Sequence, residues 1–314
     1  MSTFKILVTS QKGGVGKSTV SANLAAYLRR QGQTVTLIDF DTHGSSSTWL
    51  TRAPNIGVVV QHHVLPLDQG GNRPILDARL HLRRAASSSD VVICDLTWTD
   101  SIAGELMFEY DLVIVPTSVS EIEMAATAGF LSRHRWVFDS ATLRSPTLLL
   151  CPTRVTLEQL ETDMFSMQRF PVSFMLAPPV LESQTARDMF QRGYLMDARN
   201  DCGQSFLEFA RAVCEVRDMH NREAALRTTR APAGPILGRR NSPLPGVTAA
   251  PKPAIGSGVL AQATASPQHS ILGQHRQRKA LEKEPASLAA RSMTALGIPQ
   301  FLRRMSRTAV DTKP

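Results

Sequence analysis

From the N-terminus to about residue 226, short apolar runs rich in β-branched side chains alternate with stretches of helical period. The runs are Phe4–Val8, Val35–Ile38, Val91–Cys94, Leu112–Val115, Thr147–Cys151 and Val172–Leu176. They are near-continuously apolar, the mark of strands covered on both faces, and helices between them supply the cover. Between the first two runs, Val20, Leu24 and Leu28 recur every fourth residue and predict an amphipathic helix starting near Lys17. Further helices are predicted near 75–87, 121–138, 155–168, 183–192 and 204–226. Residues 54–75 carry Pro54, Pro66, Gly70, Gly71 and Pro74 and read as loops. The alternation predicts an α/β fold, a doubly wound, mostly parallel sheet with helices on both faces.

The pattern stops abruptly after Arg230. Six prolines between 232 and 253, set among Ala, Gly and Ser, can neither continue a helix nor build a core, so residues 229–268 read as a disordered linker. Residues 269–314 follow as a basic tail with weak amphipathic helices around 269–283 and 286–307. The domain expectation is therefore a folded unit over 1–228, the linker, and the tail.

Charge follows the same division. The chain has 35 Lys+Arg against 27 Asp+Glu, net +8. Residues 229–314 hold 13 basic and 3 acidic side chains, leaving 22 and 24 in residues 1–228. A polyanionic partner is expected at the tail first. The cysteines, Cys94, Cys151, Cys202 and Cys214, have no paired metal-ligand spacing and read as reduced, mostly packed thiols. No run approaches the roughly 18 apolar residues of a membrane span, and a cytoplasmic location is the default.

Chemistry concentrates at three strand ends. Gln11-Lys12-Gly13-Gly14-Val15-Gly16-Lys17-Ser18-Thr19 lies between the first strand and its helix. A glycine-rich turn there lets backbone N–H groups converge on phosphate oxygens at a helix N-terminus, so the stretch reads as a nucleotide phosphate cradle. The second strand ends in Asp39-Phe40-Asp41, followed by Thr42-His43-Gly44. In parallel sheets that edge is where ligands bind. Val91 to Cys94 leads into Asp95, which can hold a magnesium-bound water facing the Ser18 hydroxyl.

Lys12, five residues before Lys17, carries the sharpest resemblance. Lys-Gly-Gly-Val-Gly-Lys-Ser resembles the deviant Walker A motif of the ParA/MinD family of dimerising P-loop ATPases. Asp39-x-Asp41 with Gly44 is similar to the family's following segment, with Thr42-His43 where Pro-Gln is usual. The resemblance covers about residues 4–226 and implies ATP and Mg2+ as cofactors. It implies Lys17 and the amides of Gly13, Gly14, Val15 and Gly16 on the β- and γ-phosphates, with Thr19 on the α-phosphate. Ser18, Asp39 and Asp95 would serve the metal, Asp41 the attacking water, and Lys12 the nucleotide of a partner subunit. Pro178 lies where the family wraps backbone around adenine. ATP would then close a homodimer and slow hydrolysis release it, stimulated by a ParB-like or cargo adaptor protein.

Three tracks for such a switch remain open. For non-specific DNA, Arg187, Arg192, Arg211, Arg217, Arg222 and Arg227 are candidates, although Glu208, Glu215, Asp218 and Glu223 interleave with them. For membrane, as in a MinD-like regulator, residues 296–307 combine Leu296, Ile298, Phe301, Leu302 and Met305 with three arginines. The same segment could instead dock on protein. The favoured expectation is a ParA-like ATPase that positions or segregates a plasmid, chromosome or protein assembly on DNA. A metabolic P-loop enzyme would need a substrate pocket or cluster-ligating cysteines, and neither is evident. His62, His63 and His81 read as surface residues without ligand spacing. Trp49, Trp98 and Trp136 read as isolated packing residues.

Overall fold

β-Branched runs become strands because their side chains pack well on a pleated surface, and here both surfaces are covered. The computed structural model describes residues 3–69, 72–141, 144–161 and 170–230. Its strands are β1 (Phe4–Ser10), β2 (Val35–Asp39), β3 (Val59–His62), β4 (Val91–Thr97), β5 (Leu112–Thr117), β6 (Thr147–Val155), β7 (Met175–Leu176) and β8 (Val180–Leu181). They form one sheet in the order β3-β2-β4-β1-β5-β6-β7, with β8 against β6, and every pairing among the described residues is parallel.

Successive side chains of a strand point to opposite faces, and two cores result. Ile6 and Val8 of β1 join Ile93, Leu37 and Ile114 on one face, while Leu7 joins Ile38, Val92, Cys94 and Val113 on the other. The first face is covered by α1 (Lys17–Arg30), α2 (Ser45–Arg52) and the long α8 (Asp201–Arg230). The second is covered by α3 (Arg73–Ala86) and α4 (Glu121–Arg133). Short helices α5 (Arg135–Phe138), α6 (Leu157–Glu161) and α7 (Gln184–Asp188) fill connections. In α1 the predicted stripe is real, since Val20, Leu24 and Leu28 are each at most 1% exposed. Truncating such a buried leucine to alanine costs about 2–5 kcal/mol.

The parallel doubly wound sheet agrees with the sequence expectation, and the elements differ in detail. α2 and β3 both fall where no element was predicted. The helix predicted over 121–138 breaks at His134 into α4 and α5. α8 runs through Arg230, two residues past the expected end of the folded unit at 228. The rest of the 229–268 linker and the 269–314 tail lie outside the described residues, as does the end of the helix predicted over 155–168. Among the described residues no helix is long and apolar enough to cross a membrane.

Candidate nucleotide site

Strand order explains why distant residues meet. β1 sits between β4 and β5, with β2 beyond β4, so the chain leaves β1 in one direction and returns on the other side. The carboxyl edge at such a reversal is where an open α/β sheet binds ligands. Register places Val8 beside Asp95 and Asp39 beside Asp95, which brings both acids to the loop that follows β1.

That loop is a cradle in its backbone. Gly14 and Gly16 have φ of +78° and +89°, a conformation that costs glycine little and other residues much. A Cβ on Gly14 would meet nothing within 4 Å, so the space above the loop is open to a ligand. The loop is clamped from below by the end of β6. Thr153 Oγ1 donates to the Val15 carbonyl at 2.6 Å, and Arg154 Nη1 donates to the Gly14 carbonyl at 3.1 Å. Arg154 itself takes a left-handed φ of 57°, which turns its guanidinium toward the loop and Glu182. Gln11, where the strict motif has glycine, bonds Asp100 and Arg133 and so ties the loop to the segment after β4 and to α4.

The two lysines of the loop point in different directions. Lys17 is 6% exposed, with Nζ 3.5 Å from the Lys12 carbonyl. The Lys12 side chain is 41% exposed at the rim, 3.8 Å from Glu123 near the start of α4.

The acids are equally differentiated. Asp39 is fully buried and accepts from Ser46 Oγ, from the Ser47 N–H of α2 and from the Asp41 N–H, at 2.8, 2.9 and 3.1 Å. It therefore caps α2 while standing beside Asp95. Both oxygens of Asp41 are held by Thr97, whose N–H and hydroxyl donate at 2.6 and 2.7 Å. Asp95 is fully buried and neither of its oxygens has a hydrogen-bond partner. Burial pushes its pKa up to about 7, reinforced by the nearby charges of Asp39 and Asp41. The hydroxyls of Ser46 and Ser18 offset part of that rise without reaching hydrogen-bond geometry. Orphaned hard oxygens among three carboxylates and a loop serine fit a magnesium ion, with Ser18 and Asp95 as the groups that would hold it.

A cavity of about 450 Å3 adjoins the cradle, lined by Gly14, Gly16 and Thr19 on one side and Thr153 and Arg154 on another. Its far wall is Val180–Ser183, Arg187 and Phe190, with Trp49 at the base. That size suits a nucleoside. Pro178 is not part of the lining: β8 pairs with the end of β6 and brings residues from 180 onward to the rim in its place. Trp49 packs in the core at 2% exposure, and its edge also reaches the cavity beside Phe190, ring centroids 5.2 Å apart. Thr153, Thr97 and Glu182 were absent from the predicted site because nothing in their local sequence distinguishes them from ordinary strand and turn residues.

The arginines proposed as a DNA grip are partly engaged elsewhere. Arg187 pairs with Glu182 at 3.1 Å and Arg217 with Asp218 at 3.3 Å. The Arg227 side chain lies outside the described residues. The four cysteines are free, three of them buried.

Fold and cradle together define a P-loop NTPase. A family model described as "ParA: NUBPL iron-transfer P-loop NTPase" matches residues 2–75, so that stretch, which holds the cradle, is similar to that family. The chain is 34% identical over 132 residues to the chromosome-partitioning ATPase Soj of Thermus thermophilus, a stretch covering 40% of this chain and 51% of Soj. It is 26% identical over 152 residues to the maintenance of carboxysome distribution protein A of Halothiobacillus neapolitanus, covering 46% and 62%. The chain thus spans about half the length of the curated relatives it matches. Among solved structures, a Cyanothece McdA–ATP complex superposes with a TM-score of 0.56 at 18% identity, covering 68% of this chain and 97% of that one. At that identity the likeness concerns the fold.

Proposed function

We propose that this chain is a ParA-type ATPase that binds ATP with Mg2+, pairs face to face with a second copy, and hydrolyses ATP slowly to position a cargo. The observation that carries the reading is the division between the loop's lysines. Lys17 lies inside the cradle, where one charge serves the phosphates of its own nucleotide. Lys12 stands at the rim, 41% exposed and 3.8 Å from Glu123, outside the cradle that Lys17 occupies. A second cation aimed outward is what a nucleotide shared between two subunits requires.

Each remaining residue has a role consistent with this. Amides of Gly13 to Lys17 and the hydroxyl of Thr19 cradle the phosphates, and positive donors fixed before the reaction stabilise the charge that develops on the transferred group. Ser18 and Asp95 hold Mg2+, with Asp39 beside them, and the bound ion supplies further charge neutralisation on the phosphate oxygens. Asp41, when released from Thr97, can orient the attacking water. Such a cycle switches an assembly on and off, and a cargo adaptor of ParB type that speeds hydrolysis would set its direction. Two relatives are named for chromosome partitioning and carboxysome distribution, which supports a positioning role.

We place the track on non-specific DNA, gripped chiefly by the basic residues after 230, with the protein on the nucleoid of a cytoplasm. The test is sedimentation with a non-hydrolysable ATP analogue, for wild type and Lys12→Ala. Wild type is expected to dimerise and Lys12→Ala to remain monomeric with nucleotide bound; a variant that dimerises normally would sink the cross-subunit role. Salt-dependent binding to random duplex supports the DNA track. Co-sedimentation with anionic liposomes, lost on removing residues 296–314, would replace it with the membrane alternative.

A further inference from the structure

Away from the nucleotide site, three side chains with metal-ligating chemistry converge between the sheet edge and α3. His63 follows β3 directly, while Asp77 and His81 stand four residues apart on α3 and so share one helix face. The sequence separation hid this, and the structure corrects the expectation that the histidines lie apart. His63 Nε2 and Asp77 Oδ2 are 2.5 Å apart, and the rings of His63 and His81 stack with centroids 3.8 Å apart and planes 22° from parallel. One ligand atom from each of the three lies within 4.8 Å of the others, and all three residues are half-buried.

We propose that His63, Asp77 and His81 form a binding site for a divalent transition metal of the zinc class, with water completing the coordination. Two imidazoles and one carboxylate suit zinc, cobalt or nickel, and they suit magnesium or calcium poorly because those ions take oxygen ligands. Ligands at about 2.0–2.1 Å from a tetrahedral ion stand about 3.3 Å from one another. The short His63–Asp77 contact must open by under one ångström and the longest separation close by somewhat more. Small side-chain rotations on half-exposed residues accommodate both, and they also turn the stacked rings so that their lone pairs meet.

Supporting groups are in position. Phe40 packs edge-on to His63 with centroids 6.4 Å apart, which holds the ring from behind. The backbone N–H of His63 donates to the Asp39 carbonyl at 2.9 Å, and His62 contacts the Asp41 carbonyl at the same distance. A metal here would pin β3 to α3 and brace the strand end that carries Asp39 and Asp41. The site is thus a clamp beneath the nucleotide edge, separate from the magnesium position at Ser18 and Asp95.

The experiment is titration of the full chain, stripped with chelator and free of nucleotide, with Zn2+ by calorimetry and with Co2+ as a visible-absorption probe. Wild type is expected to take up one equivalent with the absorption of a low-coordinate cobalt site. His81→Gln and Asp77→Asn are each expected to weaken that uptake by about tenfold or more. Asp95→Asn, which alters only the magnesium position, is expected to leave it unchanged. Circular dichroism of each variant confirms folding, and His63→Gln provides a second arm should His81→Gln not fold. Uptake undiminished in these variants, or abolished in Asp95→Asn, or absent from wild type, would overturn the proposal.

Discussion

A single carboxylate, Glu123, sets the resting state of the residue on which the functional reading depends. The Lys12–Glu123 pair holds the lysine against its own subunit at 3.8 Å, with the lysine 41% exposed. Exposed pairs of this kind contribute about 0.2–1 kcal/mol. Breaking one should therefore shift an equilibrium that requires Lys12 elsewhere by up to about fivefold. Glu123→Gln is expected to strengthen ATP-dependent dimerisation by that factor in sedimentation equilibrium, and an unchanged or weaker dimer would count against a latch. Asp95 makes the complementary case. Its burial beside Asp39 and Asp41 is costly until a cation arrives. Asp95→Asn should raise the nucleotide-free melting temperature, by about 2–4 °C for each kcal/mol of relieved repulsion. The same variant should lose the thermal stabilisation that Mg2+ with ATP confers on wild type, and its hydrolysis should fall by on the order of a hundredfold. Chelating magnesium from wild type should reproduce the loss of hydrolysis, with no effect on the variant's melting point.

At the scale of elements, the clamp from β6 decides whether the glycine loop is a cradle or only a flexible turn. Thr153 is 2% exposed and is the partner of the Val15 carbonyl. Thr153→Val keeps the shape and leaves that carbonyl unpaired, at a cost of about 1–3 kcal/mol. Nucleotide affinity measured by calorimetry should drop about tenfold, while Arg154→Ala, on an exposed contact, should have a smaller effect; equal affinity in Thr153→Val would show that the loop holds its shape alone. The clamp also marks what a sequence can and cannot disclose. Strand ends were readable because an apolar run terminating in Gly-rich or acidic residues has few other uses in a parallel sheet. α2 was not, because three serines have poor helix propensity; it stands on the buried Asp39 at its N-terminus, a carboxylate placed by another element. β3 is four residues long at the sheet edge and exposes Val59, so it lacks both the length and the two-sided burial that identified its neighbours. Asp77 and His81 were not singled out as a pair, because an Asp and a His four apart are ordinary on a helix and their partner His63 comes from beside a strand whose position only the assembled sheet defines.

For the whole molecule, the question is where a nearly neutral domain meets a polyanion. Residues 1–228 hold 22 basic and 24 acidic side chains, and two of the arginines nominated for a DNA grip already pair with acids. Residues 231–314 hold 12 basic against 3 acidic. Because α8 continues through Arg230, a cut at 228 would fall inside the helix, and the truncation is placed after Arg230. Each phosphate neutralised contributes about 0.9 to the slope of log affinity against log salt concentration. A chain ending at Arg230 should therefore bind random duplex DNA with a slope lower by several units, while its Mg2+-dependent ATP hydrolysis and nucleotide-driven dimerisation persist. An unchanged slope would return the DNA contact to the folded domain, and Arg192 and Arg211 would become the residues to alter. Loss of hydrolysis together with DNA binding would mean instead that the tail completes the ATPase. That result would leave the cradle intact and place the missing group beyond residue 230.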